Sequence, residues 1–314
     1  MLLKIAAALS RRLSVKRTLS QLLVPMQARE GVAKIAIKHL GHWYGNAIQA
    51  LENVDIDIHS GEFVCLVGPS GCGKSTLLYA LAGQVVPSGG HISIDGKTVS
   101  GPSPERLLMF QEPALFPWLT VKQNLILALR AKKLQRQACE DTAMQFIRLV
   151  QLQGFENTLP HQLSGGMKMR VSLARALAMD PAVLLMDEPF GALDAQTRSQ
   201  MHQLLQAIWM KTRKTVIFVT HDVREAIVLG DRIVVMASSP GRVVQDLEVR
   251  LARPRDPDDV KVVILSRQIR SALEAAQSES LKSAKESDVP IGFETPGDSS
   301  SLPLPFAGKL GTVL

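Results

Sequence analysis

Two kinds of apolar spacing divide the chain. Unbroken apolar runs occur at Phe63-Val64-Cys65-Leu66-Val67 and Leu107-Leu108-Met109-Phe110, and again at residues 183–186, 215–219 and 232–236. Each is short enough to be a strand buried on both faces. Alternation over residues 33–39 and 54–58 predicts half-exposed strands, and His91-Ile92-Ser93-Ile94 closed by Asp95-Gly96 predicts a hairpin. Between these lie helical spacings. Residues 77–82 form one such segment, and Val121, Leu125, Leu129, Ala143, Phe146, Ile147 and Val150 mark residues 120–153. Val171, Leu173, Ala174 and Leu177 mark another helix, residues 224–226 open one more, and residues 258–277 predict a last one.

Composition sets the limits. The 314 residues are 46% hydrophobic, enough for one large domain or two small ones with a sizeable core. A net charge of +7 fits nucleic acid, an anionic membrane surface or simply a basic protein. Three cysteines, two of them in the 63–76 stretch, argue against a disulfide framework and for a reducing compartment. No apolar run approaches the ~18–20 residues that cross a bilayer, so a membrane role must be peripheral. Residues 1–30 are rich in Arg and Lys and read as a basic extension, either disordered or an amphipathic helix. Residues 278–314 turn to Ser, Pro, Gly and charge and read as a disordered tail.

The chemistry concentrates after the first apolar run. Gly68-Pro69-Ser70-Gly71-Cys72-Gly73-Lys74-Ser75-Thr76 separates a strand from a helix and fits G-x-x-x-x-G-K-[ST]. Glycines let successive N–H groups face phosphate oxygens, and the helix N-terminus adds a favourable dipole. Lys74 is spaced to reach the β- and γ-phosphates and Ser75 to bind Mg²⁺, so the chain binds a nucleoside triphosphate. Asp187 and Glu188 leave the end of the 183–186 run, where ligands bind in open α/β sheets. Asp187 suits a Mg²⁺-associated acid and Glu188 a base for an attacking water; the alternative is a helix-capping pair, which Pro189 disfavours. A lone histidine is more often structural, but His221 also ends a strand ahead of a helix, which tilts it toward the nucleotide. Ser164 is placed to cap a helix at Gly165-Gly166 and Met167. Upstream, Tyr44 or Trp43 could stack on a base or merely cover the core. The apolar loop Ala114-Leu115-Phe116-Pro117-Trp118-Leu119 either packs on its own domain or is covered by a partner.

Taken together, the P-loop, Gln111, Leu163-Ser164-Gly165-Gly166, Met186-Asp187-Glu188-Pro189, Ala192-Leu193-Asp194 and His221 resemble the ATP-binding subunits of ABC transporters over about residues 33–250. The resemblance implies an α/β fold. It comprises a P-loop NTPase (RecA-like) core sheet, an antiparallel β subdomain and a helical subdomain at about 112–178, all within an ATPase domain of residues 31–250, followed by a helical segment at 251–277. It implies ATP and Mg²⁺ as cofactors and a head-to-tail dimer, with Ser164, Gly165 and Gly166 of one copy facing the γ-phosphate held by Lys74 of the other. By the same resemblance Tyr44 stacks on adenine, Gln111 touches Mg²⁺ and the attacking water, Glu188 is the general base, Asp194 crosses the dimer and His221 senses the γ-phosphate. Met167 departs from the usual glutamine and lacks its amide donor. Phe116-Pro117-Trp118-Leu119-Thr120-Val121, Ser164–Arg170, Pro189–Asp194 and Ser239-Pro240-Gly241-Arg242 look like the nitrate, sulfonate, taurine or bicarbonate importer group. That likeness implies partner permeases, a solute-binding protein, residence on the cytoplasmic face of the inner membrane and no nucleic-acid partner. An exporter ATPase, or a non-transport ABC ATPase acting on nucleic acid, is the alternative.

Overall fold

The structure, a computed structural model, describes residues 22–27, 31–45, 47–238 and 240–287. The strands are β1 (Leu23–Pro25), β2 (Ile35–Tyr44), β3 (Ile48–Ile58), β4 (Phe63–Val67), β5 (Gly89–Ile94), β6 (Lys97–Thr98), β7 (Arg106–Met109), β8 (Val183–Asp187), β9 (Thr215–Thr220), β10 (Arg232–Ala237) and β11 (Arg242–Val249). The helices are α1 (Lys74–Ala82), α2 (Val121–Arg130), α3 (Arg136–Leu149), α4 (Gly165–Ala178), α5 (Ala195–Thr212), α6 (Val223–Leu229) and α7 (Val260–Ser287).

Strands that carry unbroken apolar runs form the centre of a seven-stranded sheet, in the order β1-β11-β10-β4-β9-β8-β7. From β10 to β7 the neighbours are parallel, whereas β11 and β1 pair antiparallel. Every residue of β4, β8, β9 and β10 is buried, as expected for parallel strands covered on both faces. Alternate residues serve the two layers. Phe63, Cys65 and Val67 face a core shared with α2 to α6, and Val64 and Leu66 face one shared with α1 and the smaller sheet. That smaller sheet, β3-β2-β5-β6, is antiparallel and carries the alternating segments. Its β5–β6 hairpin turns at Asp95 and Gly96, both at positive φ, as a two-residue hairpin requires.

Three expectations change. The stretch read as one basic extension, residues 1–30, contributes an edge strand: Leu23 to Pro25 pair with Val249 to Leu247 of β11. Residues 1–21 and 28–30 lie outside the described residues. The helical pattern at 120–153 is two helices, broken between Arg130 and Arg136 where Lys133 takes a positive φ. The last helix does not stop at 277 but runs to Ser287, because Leu281, Lys282, Ala284 and Lys285 are still good helix formers. The rest of the predicted tail, 288–314, is outside the described residues.

Candidate active site

Parallel pairing lines up the strand ends that matter. Val67 sits opposite Thr220, Asp187 opposite Val219, and Met109 opposite Met186. The loops that follow therefore open on one edge of the sheet: the P-loop after β4, Gln111 after β7, Glu188 after β8 and His221 after β9.

The P-loop is held tightly. Gly73 has φ +85°, and a Cβ there would lie 2.6 Å from the Ala50 carbonyl oxygen, so no other residue fits without moving β3. Gly73 also precedes the first turn of α1 without a side-chain cap, so the turn's N–H groups remain available to an anion. Lys74 is buried and donates from Nζ to the Gly68 and Pro69 carbonyls at 2.9 and 2.8 Å. These are neutral acceptors, for which a phosphate oxygen is the stronger substitute. Burial raises the Cys72 thiol above its ordinary range although Lys74 opposes it, so Cys72 packs as an apolar residue.

Ser75 Oγ donates to Asp187 Oδ1 at 3.0 Å, and the Tyr79 hydroxyl donates to Asp187 Oδ2 at 2.9 Å. The Tyr79 phenol is pushed up to about 12, first by burial and then by the Asp187 carboxylate, so it remains a donor. Nothing in the sequence singles out Tyr79, because in a helical run it reads only as another apolar position. Among the described residues no group of three or more His, Cys, Asp or Glu could hold a metal ion. The hydroxyl of Ser75 and one carboxylate are instead a hard-oxygen pair that suits Mg²⁺ completed by phosphate oxygens and water.

Glu188 takes φ +42°, a region costly for a non-glycine residue and characteristic of functional sites. Its Oε2 meets His221 Nδ1 at 2.8 Å, with His221 largely exposed. Gln111 stands beside them: a Cβ on Gly191 would lie 3.4 Å from Gln111 Nε2 and 3.9 Å from Glu188 Oε2. A cleft of about 470 Å³ is lined by Tyr44, Ser70, Gly71, Gly73, Lys74, Ser75, Thr76 and Glu188, with Ile48, Gln49 and Ala50. Tyr44 is half exposed at its mouth, with its hydroxyl 3.3 Å from Thr76 Oγ1. Trp43, next along β2, is not among the lining residues. Gly68, Pro69 and Ser70 also line a neighbouring cleft with His221.

Ser164, Gly165 and Gly166 are brought to a different place. Ser164 caps α4 by accepting from the Met167 N–H at 3.3 Å. A Cβ on Gly166 would lie 2.3 Å from Thr197 Cγ2, so α4 and α5 start in contact only because residue 166 has no side chain. Asp194 caps α5 at that contact through the Thr197 N–H at 2.9 Å, and this bond holds its carboxyl below the usual range. None of these four residues lines the cleft that contains Lys74. The chain thus carries a P-loop cleft and, separately, a serine–glycine helix start beside Asp194.

A family profile described as ABC transporter matches residues 51–191. An uncharacterised ABC transporter ATP-binding protein of Methanocaldococcus jannaschii is 44% identical over 76% of this chain and 89% of its own length. An aliphatic sulfonates import ATP-binding protein of Bacillus anthracis is 47% identical over 67% of this chain and 82% of its own. A nitrate import ATP-binding protein of Synechocystis is 45% identical over 68% and 80%. Among solved structures, a dimeric ATP-binding cassette in a post-hydrolysis state, bound to ADP and phosphate, superposes with a TM-score of 0.61. It has 33% identity over 69% of this chain and all of that one. With its P-loop, carboxylate pair and histidine at one sheet edge, the chain belongs to the ABC transporter ATP-binding proteins and is an ATP-hydrolysing cassette.

Proposed function

We propose that this cassette powers a membrane importer for a small oxyanion of the nitrate, sulfonate or taurine kind, working as a head-to-tail dimer on the cytoplasmic face of the inner membrane. The observation that carries the reading is the 45–47% identity to nitrate and sulfonate import ATP-binding proteins over 67–68% of this chain. Among the described residues no helix is long and apolar enough to cross a membrane, which suits a subunit that engages separate permeases. Phe110, Phe116 and Trp118 are exposed around the loop that the sequence marked as apolar, a surface fit for that contact. The solute itself would be met by the permeases and a solute-binding protein.

In the catalytic cycle Tyr44 stacks on the adenine while the P-loop amides and Lys74 hold the phosphates. Ser75 and Asp187, with Gln111, would hold Mg²⁺, which supplies charge neutralisation at the phosphates. Glu188 takes one proton from a water whose oxygen attacks the γ-phosphorus, and the bond to the β-phosphate oxygen breaks, leaving ADP. Facing an ionised Glu188, His221 donates from Nδ1, and a proton taken from solvent on Nε2 makes the imidazolium, whose Nε2 then donates to a γ-phosphate oxygen. Ser164, Gly165, Gly166 and Asp194 of a second copy would close over the γ-phosphate, which gives the separate helix start beside Asp194 its use. The test is reconstitution with the native membrane subunits and binding protein in liposomes. ATP hydrolysis should rise with one oxyanion of this class outside, and stimulation only by an unrelated solute, or by DNA or RNA without a permease, would overturn the reading.

A further inference from the structure

Behind His221 lies a polar chain that the proposed chemistry does not use. Thr220, Glu225 and His202 come from β9, α6 and α5 and are only 2%, 6% and 5% exposed. His202 Nε2 meets Glu225 Oε1 at 2.7 Å, and the Thr220 hydroxyl donates to Glu225 Oε2. Thr220 Oγ1 in turn accepts from the Asp222 N–H at 2.9 Å, which closes a short loop around His221. The directions are consistent: an ionised Glu225 only accepts, and a hydroxyl that accepts from Asp222 still has its proton to give. His202 Nδ1 is buried without a partner, so the histidine sits here at a cost that apolar packing would avoid. Only about 10 Å³ of free space remains where Thr220, Asp222 and Glu225 face Glu188, Phe190, Gly191, Arg198 and His221, no more than one water needs.

We propose that Thr220, Glu225 and His202 are positioning residues for His221: the clamp fixes the backbone on both sides of it, so that its ring meets Glu188 in one orientation. The inference rests on the reading that His221 serves the hydrolysis step. Helix α5 begins at its cap, Asp194, and carries His202. The clamp therefore ties the start of α5, the part proposed to face a second copy, to the loop that carries His221.

The test is a double-mutant cycle on the full-length protein, with kcat and KM for ATP measured at saturating Mg²⁺. Thr220→Val, which keeps the shape and removes the hydroxyl, should lower kcat about tenfold with KM within about threefold. Glu225→Ala should do the same. Glu225→Gln should recover most of that loss, because its amide oxygen can accept from Thr220 and its NH₂ can donate to the other tautomer of His202. With His221→Ala already present, Thr220→Val should cost less than about twofold more. Equal losses in both backgrounds, or an unchanged kcat in Thr220→Val, would overturn the proposal. A wild-type rate in His221→Ala alone would instead remove the assigned role of His221. If Glu225→Ala does not fold or His221→Ala turns over at background, the ring C–H signal of His221 in Thr220→Val decides by NMR. It should shift toward its position in Glu188→Ala, and a signal unchanged from wild type contradicts the clamp.

Discussion

Replacing Asn124 with alanine should unlatch the apolar loop before α2 without touching the ATP cleft. Asn124 is fully buried on the α2 face that also carries Val121 and Leu125. Its Oδ1 accepts from the Phe116 N–H at 2.9 Å, and its Nδ2 donates to the carbonyls of Leu119 at 2.9 Å, Thr120 at 3.1 Å and Phe116 at 3.3 Å. Two of these acceptors have other donors: Phe116 O receives the Leu119 N–H, and Thr120 O receives the Asn124 N–H. The substitution therefore orphans the Phe116 N–H and the Leu119 carbonyl. An orphaned buried group costs about 1–3 kcal/mol, and the half-exposed Phe116 brings water near enough to favour the low end, so the sum is about 2–3 kcal/mol. At roughly 2–4 °C per kcal/mol for a domain of this size, melting should fall by about 4–12 °C if the loss is global. If the loop opens on its own, melting barely moves and hydrogen exchange at the Phe116 amide accelerates instead. ATPase activity of the isolated subunit should stay near wild type, while stimulation by the membrane partners is lost. Unchanged melting together with unchanged exchange at Phe116 would refute the latch.

Two further outcomes test the cleft. Tyr44→Ala should weaken ATP binding by about 1–3 kcal/mol, the scale of base–aromatic stacking, whereas Trp43→Ala should leave it within about twofold; a reversed order in titration calorimetry would make Trp43 the platform. The cysteines are all buried, and burial raises the thiols of Cys65 and Cys72, so both stay protonated at neutral pH. Ellman's reagent should find no reactive thiol in the native protein and three after unfolding. Rapid native labelling of Cys72 would mean that the P-loop opens far more readily than its packing against Gly68 suggests.

How much could be read from the chain depended on range. The P-loop, the Asp187-Glu188 pair and the Ser164 cap were legible because each depends on residues adjacent in sequence. The central strands were legible because burial on both faces leaves an unbroken apolar run. The Leu23–Pro25 strand was not, since three residues hold no period and only β11, more than two hundred positions later, makes them a strand. Tyr79 and the His202–Glu225 pair escaped for a related reason, since each acts through a partner on another element, and Asn124 escaped because its bonds go to the backbone of an irregular loop. Asn124 left a usable trace, a polar residue inside the apolar stripe of Val121, Leu125 and Leu129, and such a residue must bond to something. His202 left none, because an exposed histidine at that helical position would read the same.

Hydrolysis in the proposed cycle depends most on Glu188 as the base that activates water. Purified Glu188→Gln should bind ATP with an affinity within about threefold of wild type yet turn over at least about a hundredfold more slowly, the usual scale for lost acid–base help. It should also accumulate as an ATP-bound dimer in size-exclusion chromatography. Turnover within a few-fold of wild type, with no ATP-dependent dimer, would contradict both the base and the shared site.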